Sequence, residues 1–175
     1  FLPGRDVTGE GRPGIDFERG ANVSHAPLAE MLFMIPDIRR VFFGSDFISV
    51  THGEKAQWKH LKPAVLGAIM DFYVAGGDTM HAAAAEDEDE IVYEGETLEI
   101  VEQIKELLET RIRPAVAQDG GDIIFKHFDV NDGTVYLKMQ GACAGCPSST
   151  MTLKSGIENL LKHYVPEVTG VEQTV

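Results

Sequence analysis

The stretch that decides the fold around the chain's two cysteines is Val135-Tyr136-Leu137-Lys138-Met139-Gln140-Gly141-Ala142-Cys143-Ala144-Gly145-Cys146-Pro147. Its first six residues alternate between apolar and polar side chains, which predicts a strand with one buried face. Pro147 suits the first position of a helix, and apolar spacing extends that helix to about Tyr164. The two cysteines, which are the only ones in the chain, therefore lie three positions apart in a strand-to-helix connection.

A two-residue spacer lets both sulfurs of Cys143 and Cys146 point toward one soft metal centre. A helix N-terminus carries a partial positive charge that stabilises a thiolate, so we expect exposed thiols with a lowered pKa. Gly141 and Gly145 permit a tight turn and the approach of a bulky group. The sequence therefore predicts a bidentate soft-ligand site on an exposed loop.

Four uses of such a pair compete. A thioredoxin-like dithiol would follow a βαβ unit, whereas a β-hairpin precedes these cysteines. A structural zinc site needs four ligands, and the sequence has no second C-x-x-C or paired histidines. Attachment of c-type haem needs His directly after the second cysteine, where Pro147 stands. The fourth use is an iron–sulfur or metal site completed by the same two thiols of an identical subunit, on a symmetry axis.

The rest of the C-terminal domain, which we place at residues 96–175, follows from apolar periodicity. A helix over Glu96–Arg113 is expected to end or kink at Pro114. An Asn131-Asp132-Gly133 turn indicates a β-hairpin. The remaining predicted elements are a helix-to-strand turn at Asp119-Gly120-Gly121-Asp122, a strand at Ile123–Phe128 and a final strand at Val168–Gln173.

The N-terminal domain, placed at residues 1–80, opens with an irregular Gly- and Pro-rich segment over Pro3–Gly14. Helical and strand periodicities then predict a small α+β unit, in which Trp58 and Phe72 are core residues. Its predicted elements are a helix at Pro27–Ile35, strands at Ile38–Phe43 and Phe47–Thr51, and a helix at Ala56–Ala75 stopped by Gly76-Gly77.

Residues 81–95 separate the two domains and carry acidic side chains without a single basic one: Glu86, Asp87, Glu88, Asp89, Glu90 and Glu94. Crowded like charges stay solvated, so the fold class is two small α+β domains joined by an acidic flexible linker. The net charge of −13 argues against nucleic acids and anionic membranes as partners. The longest apolar run, Ala64–Met70, is too short to span a bilayer.

No catalytic array of the serine–histidine–aspartate, phosphate-loop or carboxylate-dyad kind is found, so an enzyme is not predicted. The histidines are scattered, and His127 and His163 are assigned to packing or the surface. Met139 and Met151 flank the cysteines and are expected to pack in the core rather than to bind a metal.

The C-terminal half resembles the C-terminal domain of NifU, and residues 1–75 resemble the N-terminal domain of Nfu proteins. The first resemblance rests on Arg113-Pro114, Asp119–Asp122, Gly141–Ser149, Thr152-Leu153-Lys154 and Gly156-Ile157-Glu158. The second rests on Phe1-Leu2-Pro3-Gly4, Pro27-Leu28-Ala29, Val41–Gly44, Asp46-Phe47-Ile48 and Leu61-Lys62-Pro63. Both together are similar to mitochondrial Nfu-type iron–sulfur cluster scaffolds and their α-proteobacterial relatives.

The resemblance implies a protein that holds a [4Fe–4S] cluster between subunits and passes it to apo-proteins, with Cys143 and Cys146 as cluster ligands. It implies a homodimer or higher homo-oligomer on cluster binding. Implied partners are other cluster-assembly factors and recipients such as lipoyl synthase and respiratory-complex subunits, and the N-terminal domain is a docking or regulatory module. The implied location is the mitochondrial matrix or, as the alternative, a bacterial cytoplasm. Because the chain begins with Phe1, we expect a processed product whose transit peptide is not in this sequence. A dithiol oxidoreductase and a zinc-stabilised interaction module remain the alternatives from other classes.

Overall fold

The computed structural model describes residues 1–9, 12–79, 91–144 and 147–174. The chain divides into two compact units, Phe1–Ala85 and Glu86–Val175. Each unit contains helices and a three-stranded sheet, which confirms the prediction of two α+β domains. Residues 80–90 lie outside the described residues, so the flexible linker and the limits given for the domains stay predictions.

The first unit contains an antiparallel sheet in the order β1-β2-β3 and two helices. Its elements are β1 (Ile15–Glu18), α1 (Pro27–Phe33), β2 (Ile38–Phe43), β3 (Ile48–His52) and α2 (Trp58–Val74). Both helices pack on the sheet through a common core that includes Leu28, Leu32, Val41, Ile48, Val65 and Ile69.

Strand β1 is the element of this unit that the sequence does not predict. It is only four residues long and buries Phe17 alone, so its own alternation is too short to indicate a strand. Pairing with β2 holds it in place, with Phe17 opposite Val41. Arg40 on β2 adds ion pairs to the acidic residues on either side of Phe17. Contacts between distant segments, and not local sequence, therefore make this segment a strand.

Helix α2 buries Val65, Ile69 and Phe72, as its inner apolar stripe predicts. It ends before Gly76, whose φ of 75° lies in the left-handed region that favours glycine. The prediction that Trp58 is a core residue is wrong. Trp58 is the first residue of the helix and is 39% exposed, with its ring against those of Phe1 and His52. Because Trp58 is the first residue of the helix, its side chain reaches only the periphery of the core.

The second unit contains a sheet in the order β4-β5-β6, in which β4 and β5 are antiparallel and β5 and β6 are parallel. Its helices are α3 (Glu96–Leu107), a π-helical turn (Leu108–Ile112), α4 (Arg113–Gln118) and α5 (Pro147–Tyr164). Its strands are β4 (Gly121–Asp129), β5 (Thr134–Gly141) and β6 (Gly170–Thr174).

Pro114 does not end the helical segment, in contrast to one of the two predicted outcomes. Helical structure continues from α3 through the π-helical turn into α4, and Pro114 lies in the first two positions of α4. Inside a continuing helix, proline has no N–H to donate and its ring crowds the carbonyl of the residue four positions earlier, so the helix has to adjust locally. The change from α to π hydrogen bonding directly before it is the local adjustment to the proline.

The alternation predicted for β5 is confirmed, since Val135, Leu137 and Met139 are buried. Two other positions are not as predicted. Leu98 on α3 and Tyr164 on α5 lie at apolar helical spacing, which predicts inward side chains, but they are 41% and 46% exposed. Each lies near a helix end, where the helix surface passes beyond the edge of a small sheet.

Helix α5 connects β5 to the parallel strand β6, so the cysteine segment begins a β–α–β crossover. A β-hairpin does precede this segment, as predicted, because β4 and β5 are antiparallel neighbours. Because α5 follows β5 after a short turn, the carboxyl end of β5 and the start of α5 lie at the same end of the sheet. This end of the sheet carries the candidate site.

Candidate functional site

Cys143 lies in a single 3₁₀ turn, Ala142–Ala144, between β5 and α5. Gly141 enters the turn with a φ of 66°, which a residue with a side chain rarely adopts. The N–H of Ala142 donates to the carbonyl oxygen of Gly120 at 3.1 Å, so the turn is tied to the start of β4. Cys146 lies outside the described residues, and its approach to Cys143 stays a prediction.

The side chain of Cys143 is buried against β4, contrary to the expected exposed loop. It is 6% exposed and belongs to the core cluster of the second unit. The close neighbour is Gly121, where a Cβ atom would stand 2.6 Å from Cys143 Sγ and 2.8 Å from the carbonyl oxygen of Gln140. Gly121 therefore provides the space in which the thiol lies.

The environment of Cys143 raises the pKa of its thiol, where the sequence analysis expected a lowered pKa. Burial is the largest cause, because it disfavours the charged thiolate. The carboxylates of Asp119 and Asp122 act in the same direction through their negative charge. The expectation from the helix N-terminus is thus wrong for Cys143, whose thiol is packed in the core of the second unit.

A charged cluster anchors the start of β4 next to this thiol. Arg113 on α4 donates from Nε and Nη2 to the two carboxylate oxygens of Asp122, at 2.7 and 2.8 Å. The same guanidinium donates from Nη1 to both oxygens of Glu109, at 2.6 and 2.8 Å. Hydrogen bonding to Asp122 is the main cause that raises the pKa of Arg113. Asp122 also accepts the N–H of Ile123 at 2.8 Å, so the strand backbone is held directly.

Asp119–Asp122 forms the turn between α4 and β4, as predicted, and its two glycines have different roles. Gly120 has a φ of 81°, in the left-handed region that favours glycine. Gly121 is not among the positive-φ glycines and instead makes room for Cys143. The pairing of Arg113 with Asp122 was missed. The signal available was a Glu109–Arg113 pair at helical i, i+4 spacing next to an acidic turn.

Other residues singled out from the sequence contribute little to a binding site. The rings of His127 and Tyr136 are stacked with their centroids 4.1 Å apart, and the ring of His163 packs edge-on against that of Tyr164. Both histidines therefore have packing roles. Met139 is buried as predicted, but Met151 is 71% exposed and is not a core residue. Within the described ranges, no three His, Cys, Asp or Glu side chains come together in a way that could hold a metal ion. Nor does any helix in those ranges have the length and apolar character to cross a membrane.

The two units match two protein families. Residues 1–76 match the family described as scaffold protein Nfu/NifU N terminal, and residues 104–172 match the NifU-like domain. The second match contains both cysteines. A solution NMR structure of a NifU-like protein from Saccharomyces cerevisiae covers 46% of this chain and 70% of its own, with 19% identity and a TM-score of 0.42.

Longer relatives are similar over nearly the whole chain. A protein of Drosophila persimilis, "NFU1 iron-sulfur cluster scaffold homolog, mitochondrial", is 48% identical over 173 residues, which are 99% of this chain and 60% of that protein. "NifU-like protein 4, mitochondrial", from Arabidopsis thaliana, is 51% identical over 174 residues, again 99% of this chain and 60% of the relative. The chain thus spans about 60% of the length of these relatives. The mitochondrial location predicted from the sequence agrees with their names. The chain therefore consists of an Nfu/NifU N-terminal domain followed by a NifU-like domain.

Proposed function

We propose that this chain is an iron–sulfur cluster scaffold or carrier, and not an enzyme, that acts in the mitochondrial matrix. It binds a [4Fe–4S] cluster as cargo through Cys143 and Cys146 and passes it to apo-proteins. The observation that carries the proposal is the place of Cys143 in the turn between β5 and α5, three residues before Cys146, within the part that matches the NifU-like domain. The names of the relatives, which describe iron–sulfur cluster scaffolds, support it.

The number of thiols determines how a cluster would be held. A [4Fe–4S] cluster takes four cysteine ligands, and one chain supplies two. The described residues contain no cluster of His, Cys, Asp and Glu that could supply the remainder. Two copies of the chain would provide four thiolates about a two-fold axis, so we propose a homodimer or higher homo-oligomer on cluster binding.

Transfer of such a cargo is a ligand exchange without a net change in oxidation state. A thiolate of the acceptor binds an iron as one cysteine of the scaffold leaves, and the departing thiolate takes up the proton that the acceptor thiol gave up. Four such exchanges move the cluster.

A dithiol oxidoreductase would need a different environment for the thiol of Cys143. A catalytic thiol is exposed and has a lowered pKa, because the thiolate is the nucleophile. Cys143 is 6% exposed and its pKa is raised. A structural zinc site would likewise need ligands beyond the two thiols. What favours the cluster scaffold over both alternatives is the match of the two units to the Nfu N-terminal and NifU-like domains, together with the names of the relatives.

Anaerobic reconstitution with iron and sulfide tests the proposal. We expect four irons and four sulfides per two chains, with the mass of a dimer or a multiple of it. Cys143→Ser and Cys146→Ser should each lose the cluster and the association. Val130→Ser is a matched control, because Val130 is 58% exposed beyond the end of β4 and distant in sequence from both cysteines.

The scaffold role is tested by mixing the loaded dimer with an apo-acceptor such as lipoyl synthase. We expect the cluster absorbance to move to the acceptor fraction after separation. A full cluster on each monomer without association would refute the shared site. Reduction of a test disulfide by the metal-free protein, abolished in Cys143→Ser, would instead support the oxidoreductase.

A further inference from the structure

The outward face of α2 carries apolar side chains where an exposed helix surface usually carries polar ones. Leu66, Met70 and Val74 are spaced four residues apart, so they form one stripe along the helix. They are 41%, 63% and 86% exposed. The helix already has a buried side, which carries Val65 and Phe72. The packing of the first unit therefore does not account for the outer stripe.

The N-terminal half of the same helix face is basic. Lys59 and Lys62 are exposed and precede Leu66 by seven and four residues, which places them on the side of the stripe. Neither takes part in an ion pair within the described part of the chain. The first turn of α2 contains no acidic residue, although negative charge is favourable there and positive charge unfavourable. Lysines near a helix N-terminus that has no acidic residue are locally unfavourable, and unfavourable features of this kind are typical of functional surfaces.

We propose that Lys59, Lys62, Leu66, Met70 and Val74 form a docking surface, the α2 stripe, for an amphipathic acidic helix of a partner protein. At about 1.5 Å per residue, the stripe extends roughly 22 Å along the helix axis, which accommodates about four turns of a partner helix. Apolar side chains of the partner cover Leu66, Met70 and Val74, and its Asp or Glu side chains pair with the lysines. The lysines give the surface its preference for acidic partners.

A second copy of this chain fits the stripe less well. Parallel pairing of two stripes would bring their lysines together, and antiparallel pairing would place Lys59 and Lys62 near the apolar end at Val74. Charge complementarity therefore indicates an acidic partner rather than a second copy of the chain.

The single tryptophan of the chain makes binding measurable. Trp58 is the first residue of α2, so its fluorescence reports on this helix without a label. The probe is a synthetic peptide of about 18 residues, roughly five helical turns, with leucines on one face and glutamates beside them. We expect saturable binding to the full chain with a Kd on the order of 10 µM. A peptide with lysines in place of the glutamates should bind at least about tenfold more weakly.

Variants locate the surface. Leu66→Gln combined with Met70→Gln should weaken binding of the acidic peptide at least about tenfold. Lys59→Glu combined with Lys62→Glu should reverse the preference between the two peptides. Met34→Gln is the matched control, since Met34 is 75% exposed just after α1 and should leave binding unchanged. Circular dichroism and urea unfolding verify that each variant folds.

Four results would overturn the proposal. One is no saturable binding at about 1 mM peptide, and another is equal binding of the acidic and basic peptides. A third is dimerisation that Met70→Gln abolishes, because a second copy would then occupy the stripe. The fourth is tighter binding to anionic vesicles than to the acidic peptide. Cluster loading depends on Cys143 and Cys146, so either proposal can fail without the other.

Discussion

Replacing Gly121 with alanine tests whether the thiol of Cys143 is seated against the start of β4. The added Cβ would stand 2.6 Å from Cys143 Sγ and 2.8 Å from the backbone oxygen of Gln140. Both separations are far below van der Waals contact, and the second involves an atom of the paired strand. Relaxation therefore has to displace the thiol and strain the β4–β5 pairing. Because the φ of Gly121 is not positive, the effect of Gly121→Ala is steric and not conformational.

Overpacking of this kind destabilises a core by about 1–3 kcal/mol. Urea unfolding of the second unit should show this loss as a lower midpoint with an unchanged slope. In a Cys146→Ser background, iodoacetamide should label Cys143 faster in Gly121→Ala than in the parent, because the displaced thiol is exposed.

Gly156→Ala is the matched control for Gly121→Ala. Gly156 lies inside α5, and a Cβ there would meet nothing within 4 Å. Alanine is about 1 kcal/mol more favourable than glycine inside a helix, so this variant should be more stable. If Gly121→Ala unfolded within about 0.5 kcal/mol of the parent and labelled at the same rate, the seat described for Cys143 would be refuted.

Three further predictions follow from the same region. Asp122→Asn weakens the paired hydrogen bonds to Arg113 and should lower the unfolding free energy by about 1.5–3 kcal/mol; an unchanged urea midpoint would contradict the anchoring role. The raised pKa of Cys143 predicts that its alkylation in Cys146→Ser rises with pH later than that of a model thiol measured under the same conditions; a midpoint at or below that of the model thiol would contradict it. Leu137→Ala removes a fully buried side chain at the centre of the second core and should cost about 2–5 kcal/mol, measured by urea or thermal unfolding.

The sequence predicts best those elements whose periodicity is long. The inner stripe of α2 and the alternation of β5 have enough residues for a period to be recognised, and both are confirmed. Strand β1 and the π-helical turn could not be predicted in this way. The first depends on pairing with β2, and the second on how one helix accommodates Pro114.

For the candidate site, the chemistry stays a prediction and the expected conformation is wrong. The spacing of Cys143 and Cys146 predicts a soft-ligand pair, but the exposure and the pKa expected for Cys143 differ from those in the structure. The expected lowering of the pKa of Cys143 rests only on the partial positive charge of the helix N-terminus. The carboxylates of Asp119 and Asp122 and the contact with Gly121 arise from strand pairing, which brings residues about twenty positions apart together. Burial and the two negative charges outweigh the partial positive charge of the helix N-terminus in their effect on the pKa of Cys143.

The burial of Cys143 has a consequence for the cargo. If Cys143 is a cluster ligand, as we propose, its thiol, which is 6% exposed and packed against Gly121, has to turn outward before it can share a cluster with a second subunit. Outward rotation gives up core contacts, so cluster binding competes with packing within the chain. The same contacts are regained when the cluster departs. A scaffold that must release its cluster gains from this competition, because it lowers affinity without removing a ligand. An exposed, ionised thiol would suit a site that retains a metal, whereas a buried thiol is what the proposed release of a cluster would need.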